Sequence, residues 1–268
     1  MADITPVVER SRGFYRVGGA CLEYLWLGPG PHAALTLVFL HEGLGCIALW
    51  KDFPERVALA TGCGVLVYSR QGYGRSDPVE PPRPLGYMHD EGLEVLPALL
   101  DAAGICQAVL VGHSDGASIA IIHAGGCSDP RIRGLVLMAP HVFVEQLSVT
   151  SIEKSRVLYT EKDLRVRLQR YHGDNVDGAF WGWNRAWLNP DFLHWNIEPY
   201  LAKINLPVLL LQGVCDEYGT DLQLQAIESQ VAGKVTIVRL AECGHSPFRD
   251  QPELSEQVIT HFICQLQR

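Results

Sequence analysis

The sequence predicts an α/β fold, doubly wound around a mostly parallel sheet of eight strands. The first observation is a series of six short apolar runs bounded by Gly, Pro or Asn. Most of them lack polar alternation, which is typical of parallel strands that are buried on both faces. The second observation is that longer helical stretches separate these runs, as they do in doubly wound sheets.

The first two strands are expected at the edge of the sheet. Residues 12–27 carry aromatic and β-branched side chains on both sides of Gly18 and Gly19, which predicts an antiparallel hairpin. The six remaining strands are expected over 35–41, 64–70, 108–112, 134–140, 207–213 and 234–240. Helices are expected over about 49–61, 89–103, 115–124 and 252–267.

The region 141–200 interrupts this alternation. It shows no parallel-strand pattern, has helical character and is too long for a simple crossover between two strands. We therefore expect a core domain made of 1–140 and 201–268, with 141–200 inserted after the sixth strand as a helical cap over the strand ends. The region also holds four tryptophans, Trp181, Trp183, Trp187 and Trp195.

Composition excludes several classes of protein. The 268 residues suffice for one large domain, and a hydrophobic share of 47% with 19% charged residues argues against disorder. A formal net charge of −8 is unfavourable for nucleic-acid binding, which needs clustered Lys and Arg. No apolar stretch is long enough for a membrane span, and the N-terminus has no signal-peptide pattern.

The cysteines and histidines indicate a protein without metal or cofactor. The eight cysteines form no Cys-x-x-Cys pair, and reduced thiols of this kind predict a cytoplasmic protein. The His and Cys residues lack the spacing of metal ligands, and no dinucleotide-binding fingerprint is present. The expected partner is a small molecule, and a homodimer is compatible with the sequence.

A candidate nucleophile lies between a strand and a helix. The strand AVLVG leads into Gly112-His113-Ser114-Asp115-Gly116, a Gly-x-Ser-x-Gly motif, and then into the apolar run ASIAIIHA. In this context a sharp turn exposes the hydroxyl of Ser114, and the following helix directs its N-terminus at a developing anion. The alternative is a glycine-rich turn with an ordinary solvent-facing serine.

Partners for Ser114 follow two later strands. Asp216 comes just after the strand PVLLLQG, and His245 comes just after KVTIVRL. Both belong to the sheet edge where ligand sites form, and the order Ser, Asp, His is the one expected for this fold. The histidine is expected to act as general base and the aspartate to orient it. Glu217 is an alternative acid, but its longer side chain makes Asp216 preferable.

These segments resemble the α/β-hydrolase superfamily, in particular its capped carboxylesterases, enol-lactonases and C–C hydrolases. The similarity extends over nearly the whole chain and includes YSRQGYGRS at 68–76, which is similar to the Asp-x-x-Gly-x-Gly-x-Ser segment of the family. Ser69 stands where the family often has Asp, a departure that concerns loop packing. The resemblance implies an eight-stranded α/β-hydrolase sheet with a cap, and a Ser114–His245–Asp216 triad that needs no cofactor.

The resemblance also implies an oxyanion hole made by the backbone N–H groups of Gly43 and Asp115. Glu42 replaces the glycine that family members often have before the first of these donors. A carboxylate that faced a developing oxyanion would oppose catalysis. Glu42 is therefore expected either to be structural or to bind a cationic or hydroxylated substrate. Further candidates for substrate contact are Leu44, His113, His141, Trp181 and Trp183, each with a structural role as the alternative.

Three functions are compatible with these residues. The first is hydrolysis of a small carboxylic ester or lactone through an acyl-enzyme formed on Ser114. The second is C–C bond hydrolysis of a diketone, which uses a similar set of residues. The third is a ligand-binding receptor with little turnover, since a fold does not determine a function. Chemistries that need a carboxylate nucleophile are disfavoured because the residue at the elbow is Ser114.

Overall fold

An eight-stranded sheet forms the centre of the protein in a computed structural model that describes residues 9–267. Two of its strand pairs, β1–β2 and β2–β4, are antiparallel, and the five others are parallel. In space the order is β1-β2-β4-β3-β5-β6-β7-β8. The predicted fold class is confirmed. The strands are β1 (Arg10–Val17), β2 (Ala20–Leu27), β3 (Thr36–Leu40), β4 (Gly64–Tyr68), β5 (Ala108–His113), β6 (Ile132–Met138), β7 (Val208–Gly213) and β8 (Val235–Leu240).

Helices cover both faces of this sheet. The first four are α1 (Phe53–Thr61), α2 (Tyr87–Asp90), α3 (Leu96–Ala102) and α4 (Asp115–Gly126). The next three are α5 (Gln146–Glu161), α6 (Leu164–His172) and α7 (Val176–Trp187). The last three are α8 (Asp221–Gln230), α9 (Pro247–Asp250) and α10 (Pro252–Leu266). Residues 1–8, the start of the segment without a signal-peptide pattern, lie outside the described residues.

Each parallel strand contributes side chains to two cores. On β3, Leu37 and Phe39 pack with the side chains of α1 and α10 on one face. Val38 and Leu40 point to the opposite face, where they join the core beneath α4. Burial on both faces explains why these strands are apolar at consecutive positions instead of alternating with polar residues.

Several helices differ from the expectation: the one predicted over 89–103 is observed as α2, a π-helical segment Glu91–Val95 and α3, and the short helix α9 was not predicted. The predicted helix over 49–61 is divided into a 3₁₀ turn, Ile47–Trp50, and α1, because Lys51 has a left-handed backbone with φ 57°. Helix α8 was not predicted, although Thr220 caps it by accepting a hydrogen bond from the N–H of Leu222 at 3.2 Å. A Thr followed three residues later by Gln223 is a pattern that signals such a start.

The segment 141–200 is largely helical and contacts loops that follow two of the strands. It contains α5, α6 and α7, and its only strand-like feature among the described residues is the bridge between Phe143 and Asn196. Ser151 donates to the carbonyl of Glu217 at 2.5 Å, and Asn175 donates to the carbonyl of Ser76 at 2.8 Å. The segment is therefore fastened to loops that follow two different strands.

None of the helices within residues 9–267 has both the length and the apolar character needed to cross a bilayer.

Six histidines are buried in the folded protein, and for four of them burial lowers the pKa. The pKa of His141 falls to about 3. The unfolded chain binds protons at its histidines below about pH 6.5, whereas these buried rings stay neutral. Acidification therefore favours unfolding. The four residues are His41, His123, His141 and His172.

We expect the urea midpoint of unfolding to fall as the pH is lowered from 7.5 to 5.5. His123→Gln should make this pH dependence shallower, because it removes one of the four buried histidines with a lowered pKa. The glutamine keeps a donor for the carbonyl of Gly92, which His123 contacts at 2.8 Å. Urea titrations followed by circular dichroism at three pH values measure the effect. A midpoint that is constant or rises on acidification would contradict this explanation.

Candidate active site

Ser114 occupies a tight turn between β5 and α4. Its backbone is left-handed, with φ 52° and ψ −119°, a conformation that costs energy for a residue with a side chain. Its N–H donates to the carbonyl of Met138 at 2.9 Å, which anchors the turn to β6. A Cβ atom at Gly116 would overlap the carbonyl of Leu40, so only glycine lets α4 begin so close to β3. The sharp strand–turn–helix arrangement expected from the Gly-x-Ser-x-Gly motif is present.

Ser114, His245 and Asp216 form one chain of hydrogen bonds. Nε2 of His245 lies 2.9 Å from Oγ of Ser114 and accepts its hydroxyl proton. Nδ1 of His245 donates to the carboxylate of Asp216, with distances of 2.9 and 3.0 Å to its two oxygens. The structure thus brings together three side chains that are up to 131 positions apart in the sequence. Only 7% of Ser114 and 9% of His245 is exposed, so the chain lies in an enclosed place.

Asp216 is held ionised by its surroundings. Burial would raise its pKa, but the hydrogen bond and the charge of His245, followed by the backbone N–H of Tyr218, bring the pKa below its ordinary value. Oδ1 accepts from the N–H of Tyr218 at 2.8 Å, and Oδ2 accepts from Nε2 of Gln212 at 2.7 Å. A carboxylate with these donors stays charged near neutral pH and fixes the tautomer of the imidazole.

Glu217, the alternative acid, does not occupy the position that Asp216 takes beside the imidazole of His245. Its Oε2 accepts from the backbone N–H of His245 at 3.2 Å and does not contact the imidazole. Tyr218 packs its ring 4.7 Å from that of His245. Tyr218 and Gln212 are not among the site residues predicted from the sequence. Gln212 carries a signal that was available, because it is a polar residue at the end of an otherwise apolar strand.

The loop after β3 is fixed through its carbonyl groups. Arg70, which is fully buried, donates to the carbonyls of His41 and Glu42, the latter at 3.0 Å. His41 adds a donor to the carbonyl of Glu42 at 2.7 Å, and Nε2 of His172 donates to the carbonyl of Leu44 at 2.9 Å. With these carbonyls directed into the protein, the loop has a single orientation.

The two backbone donors expected for an oxyanion hole have no acceptor of their own. Within residues 9–267, neither the N–H of Gly43 nor that of Asp115 donates to another group of the protein. The indole of Trp183 covers Gly43 so closely that a Cβ atom there would overlap it. Trp183 is thus placed at the site, whereas Trp181 packs on Tyr159 and Phe180 within the helical segment.

The carboxylate of Asp115 was not foreseen as a separate feature. It is buried, and it accepts hydrogen bonds from the hydroxyl of Tyr87 and from Nε1 of Trp187, the latter at 3.2 Å. Burial raises its pKa, although Arg70 and these two donors oppose the shift. The side chain therefore connects α4 with α2 and α7, while the backbone N–H of the same residue remains available.

The other candidates for substrate contact surround His245. His113 is only 1% exposed and donates from Nε2 to the backbone carbonyl of His245 at 2.7 Å, so it lies behind the imidazole. His141 is also buried, with its ring centre 5.6 Å from that of His245. The carboxylate of Glu42 turns towards Nδ1 of His113 at 3.5 Å. Leu44 is partly buried next to Gly43.

The described part of the chain holds no group of three or more His, Cys, Asp or Glu side chains that could bind a metal ion.

Comparison with known proteins places this arrangement in a family. A family model described as the alpha/beta hydrolase family matches residues 37–257. The chain belongs to the alpha/beta hydrolase family. The match includes all three members of the Ser114–His245–Asp216 chain.

The names of individual relatives indicate different activities. A protein of Caulobacter segnis with the provisional name carbamate hydrolase RutD is 35% identical over 102 residues, which are 37% of this chain and 35% of that protein. The chain therefore spans about a third of the length of this curated relative. The enol-lactonase from Burkholderia xenovorans LB400 has a similar fold, with a TM-score of 0.74 and 19% identity over 94% of this chain and 100% of that one.

A crystal structure of a membrane phospholipase A, described as a bacterial virulence factor, is similar to the same degree. Its TM-score is 0.74, with 21% identity over 97% of this chain and 87% of that one. At such identities the two structures show a shared alpha/beta hydrolase fold and nothing about a shared substrate.

Gly116→Ala should destabilise the protein by roughly 1–3 kcal/mol, because the added methyl group overlaps the carbonyl of Leu40 and forces α4 away from β3. Gly30→Ala is the matched control, since a Cβ at Gly30 meets no atom within 4 Å. Urea unfolding of both variants measures the difference. Equal midpoints for the two variants would show that the close approach at the elbow is not needed.

Proposed function

We propose that this protein is a serine hydrolase that cleaves a small carboxylic ester or lactone through an acyl-enzyme on Ser114. The observation that carries the proposal is the position of His245. Its Nε2 lies 2.9 Å from the hydroxyl oxygen of Ser114, while its Nδ1 is occupied by Asp216. In this tautomer the free lone pair of the ring points at the only proton that has to leave for Ser114 to become a nucleophile.

The first half of the reaction forms the acyl-enzyme. His245 takes the hydroxyl proton as Ser114 attacks the acyl carbon, and the carbonyl oxygen of the substrate becomes an oxyanion. The N–H groups of Gly43 and Asp115 are the proposed donors to that oxyanion, since neither has an acceptor among residues 9–267. His245 then returns the proton to the leaving alkoxide, and Asp216 stabilises the imidazolium in between.

The second half repeats these steps with water. A water molecule on the side of the departed alcohol gives a proton to His245 and attacks the acyl carbon. The second tetrahedral intermediate collapses when the proton returns to Ser114, and the acid leaves. For a lactone, the alcohol and the acid are parts of one product molecule.

We also propose that residues 141–200 act as a cap over this reaction, on a core made of 1–140 and 201–268. Trp183 covers Gly43, and Trp187 contacts the carboxylate of Asp115 beside the nucleophile. Ser148 and Ser151 donate to the carbonyls of Tyr218 and Glu217, each at 2.5 Å, in the loop that carries Asp216. An enclosed site of this kind excludes bulk water and favours small substrates.

A fluorophosphonate probe should label the wild-type protein at Ser114, and Ser114→Ala should abolish the labelling. The same variant should lose ester hydrolysis by about a thousandfold or more, because within the described part of the chain Ser114 is the hydroxyl residue that hydrogen-bonds to the imidazole of His245. Peptide mapping by mass spectrometry identifies the labelled residue. Ser118→Ala, one turn further along α4, is the control that must remain labelled.

Absence of labelling from the folded wild-type protein would refute the serine hydrolase and leave the low-turnover receptor as the better explanation. Labelling at a serine other than Ser114 would refute the assignment of the nucleophile.

A panel of p-nitrophenyl esters of increasing acyl length should be hydrolysed with a burst of p-nitrophenol, because acylation precedes hydrolysis of the acyl-enzyme. We expect the rate to decrease for long acyl groups in the enclosed site.

Carbamates are a second candidate class, favoured by the match to the protein named as a carbamate hydrolase. A p-nitrophenyl carbamate belongs in the same panel. Turnover of a diketone with none of any ester would instead favour C–C bond hydrolysis.

A further inference from the structure

Tyr218 contacts both of the residues that serve Ser114. Its backbone N–H donates to Oδ1 of Asp216 at 2.8 Å. Its ring lies 4.7 Å from the imidazole of His245, measured between ring centres, with a tilt of 40°. This distance is at the short end of the range for aromatic rings in contact. One residue therefore touches the acid through its backbone and the base through its side chain.

The hydrogen bonds of His245 do not by themselves fix the orientation of its ring. Asp216 binds Nδ1 and Ser114 binds Nε2. Two contacts at opposite ends of a ring define a line, and the ring can still turn about that line. The contact with Ser114 also loses its proton when Oγ becomes acylated, so one of the two hydrogen bonds is missing in the second half of the reaction. Packing beside the imidazole has to limit its rotation.

Three aromatic side chains pack beside this imidazole. The ring centre of Tyr218 is 4.7 Å from that of His245, whereas those of His113 and His141 are 5.1 and 5.6 Å away. His113 donates to the backbone carbonyl of His245, so it acts on the main chain of that residue. Burial lowers the pKa of His141 to about 3, so this ring is neutral. Tyr218 is the nearest of the three rings.

Helix α5 holds the hydroxyl end of the Tyr218 ring. Oη of Tyr218 lies 3.0 Å from Oγ of Ser155, and the same Oγ donates to the carbonyl of Ser151 at 3.0 Å. Because a serine hydroxyl has one proton, Tyr218 is the donor in its contact with Ser155. Burial raises the pKa of the Tyr218 phenol, so the phenol keeps the proton that this contact needs. Ser148 of the same helix donates to the backbone carbonyl of Tyr218 at 2.5 Å.

We propose that Tyr218 is a positioning residue whose ring keeps the imidazole of His245 aligned through both halves of the reaction, while Ser155 keeps the Tyr218 ring in place. The inference rests on the proposed function. The π system of a tyrosine also attracts a cation within about 6 Å of its centre, so this ring favours the imidazolium that forms during proton transfer. The neutral imidazole gains less from the contact, so the ring lowers the barrier and does not tighten substrate binding.

The test compares Tyr218→Leu with Tyr218→Phe in the full-length protein, with p-nitrophenyl acetate as substrate. Leucine removes the ring, and we expect kcat to fall roughly 10- to 30-fold with little change in KM. The burst and the steady-state rate should fall together, because His245 transfers a proton in both halves of the reaction. Phenylalanine keeps the ring and loses the contact with Ser155, so we expect a loss of about threefold or less. Tyr218→Met, a second variant without the ring, should behave like Tyr218→Leu.

Tyr200→Leu is the matched control. Tyr200 also has its ring beside a histidine, 5.7 Å from that of His89, but it packs near Gly126 at the end of α4 that is remote from Ser114. Its replacement should leave kcat unchanged. A Tyr218→Leu variant with the kcat of the wild type, or a Tyr218→Phe variant as slow as Tyr218→Leu, overturns positioning by the ring.

Ser155→Ala tests the link from α5 to the base. Ser155→Ala and Tyr218→Phe remove opposite ends of one hydrogen bond, so the double variant should be no slower than the slower of the two single variants. Losses in kcat that multiply in the double variant would show that the two side chains act independently, and would overturn this link.

Proton NMR of the His245 ring gives a readout that does not depend on turnover. The signals of its ring protons are assigned by their absence in His245→Gln. The ring current of Tyr218 acts on these protons, so Tyr218→Leu should move the signals and Tyr218→Phe should leave them close to their wild-type positions. Signals that stay in place in Tyr218→Leu show that the two rings are not in contact and overturn the proposal. A wild-type protein that neither reacts with fluorophosphonate nor hydrolyses esters refutes the proposed function instead.

Discussion

Ser114 keeps a left-handed backbone because its neighbours leave the turn no alternative. On one side its N–H is bound to Met138 in β6, and on the other the close approach of Gly116 to Leu40 fixes where α4 begins. The conformational cost is met by the packing of two strands and a helix. As long as this turn holds, the hydroxyl projects from the sheet edge where β7 and β8 also end, and His245 and Asp216 can reach it.

The loops around this turn are held by groups that themselves take no part in the proposed chemistry. A buried guanidinium, Arg70, and two neutral histidines, His41 and His172, bind the carbonyls of the loop after β3. In the same loop the N–H of Gly43 donates to no group within residues 9–267. Rigid backbone donors of this kind stabilise charge without having to reorganise during the reaction, which is the general basis of oxyanion stabilisation.

Burial gives the polar groups near the site unequal tendencies to ionise. Asp216 stays charged because donors surround it, whereas burial keeps His141 and His172 neutral. Asp115, also buried, uses its carboxylate to hold Tyr87 and Trp187. The same burial that orders the site makes the protein sensitive to acid, because the unfolded chain can protonate side chains that the folded one cannot.

The local patterns of the sequence determined the fold class and the identity of the three central residues. Apolar runs buried on both faces, the glycines around Ser114, and Asp216 and His245 after later strands are each visible within a few positions. These features follow from rules of local structure, so a linear pattern is enough to find them.

Only the tertiary structure decided which side chains contact one another around the site. The pairing of Glu42 with His113, the position of Arg70 beneath its loop, the carboxylate of Asp115 between two other helices and the place of Trp183 over Gly43 join distant parts of the chain. The geometry of these contacts depends on how all the strands and helices pack together. No short stretch of sequence contains that information. For the same reason the sequence could not decide whether Glu42 has a structural role or binds substrate. The structure places its carboxylate beside His113, which is 71 positions away in the sequence.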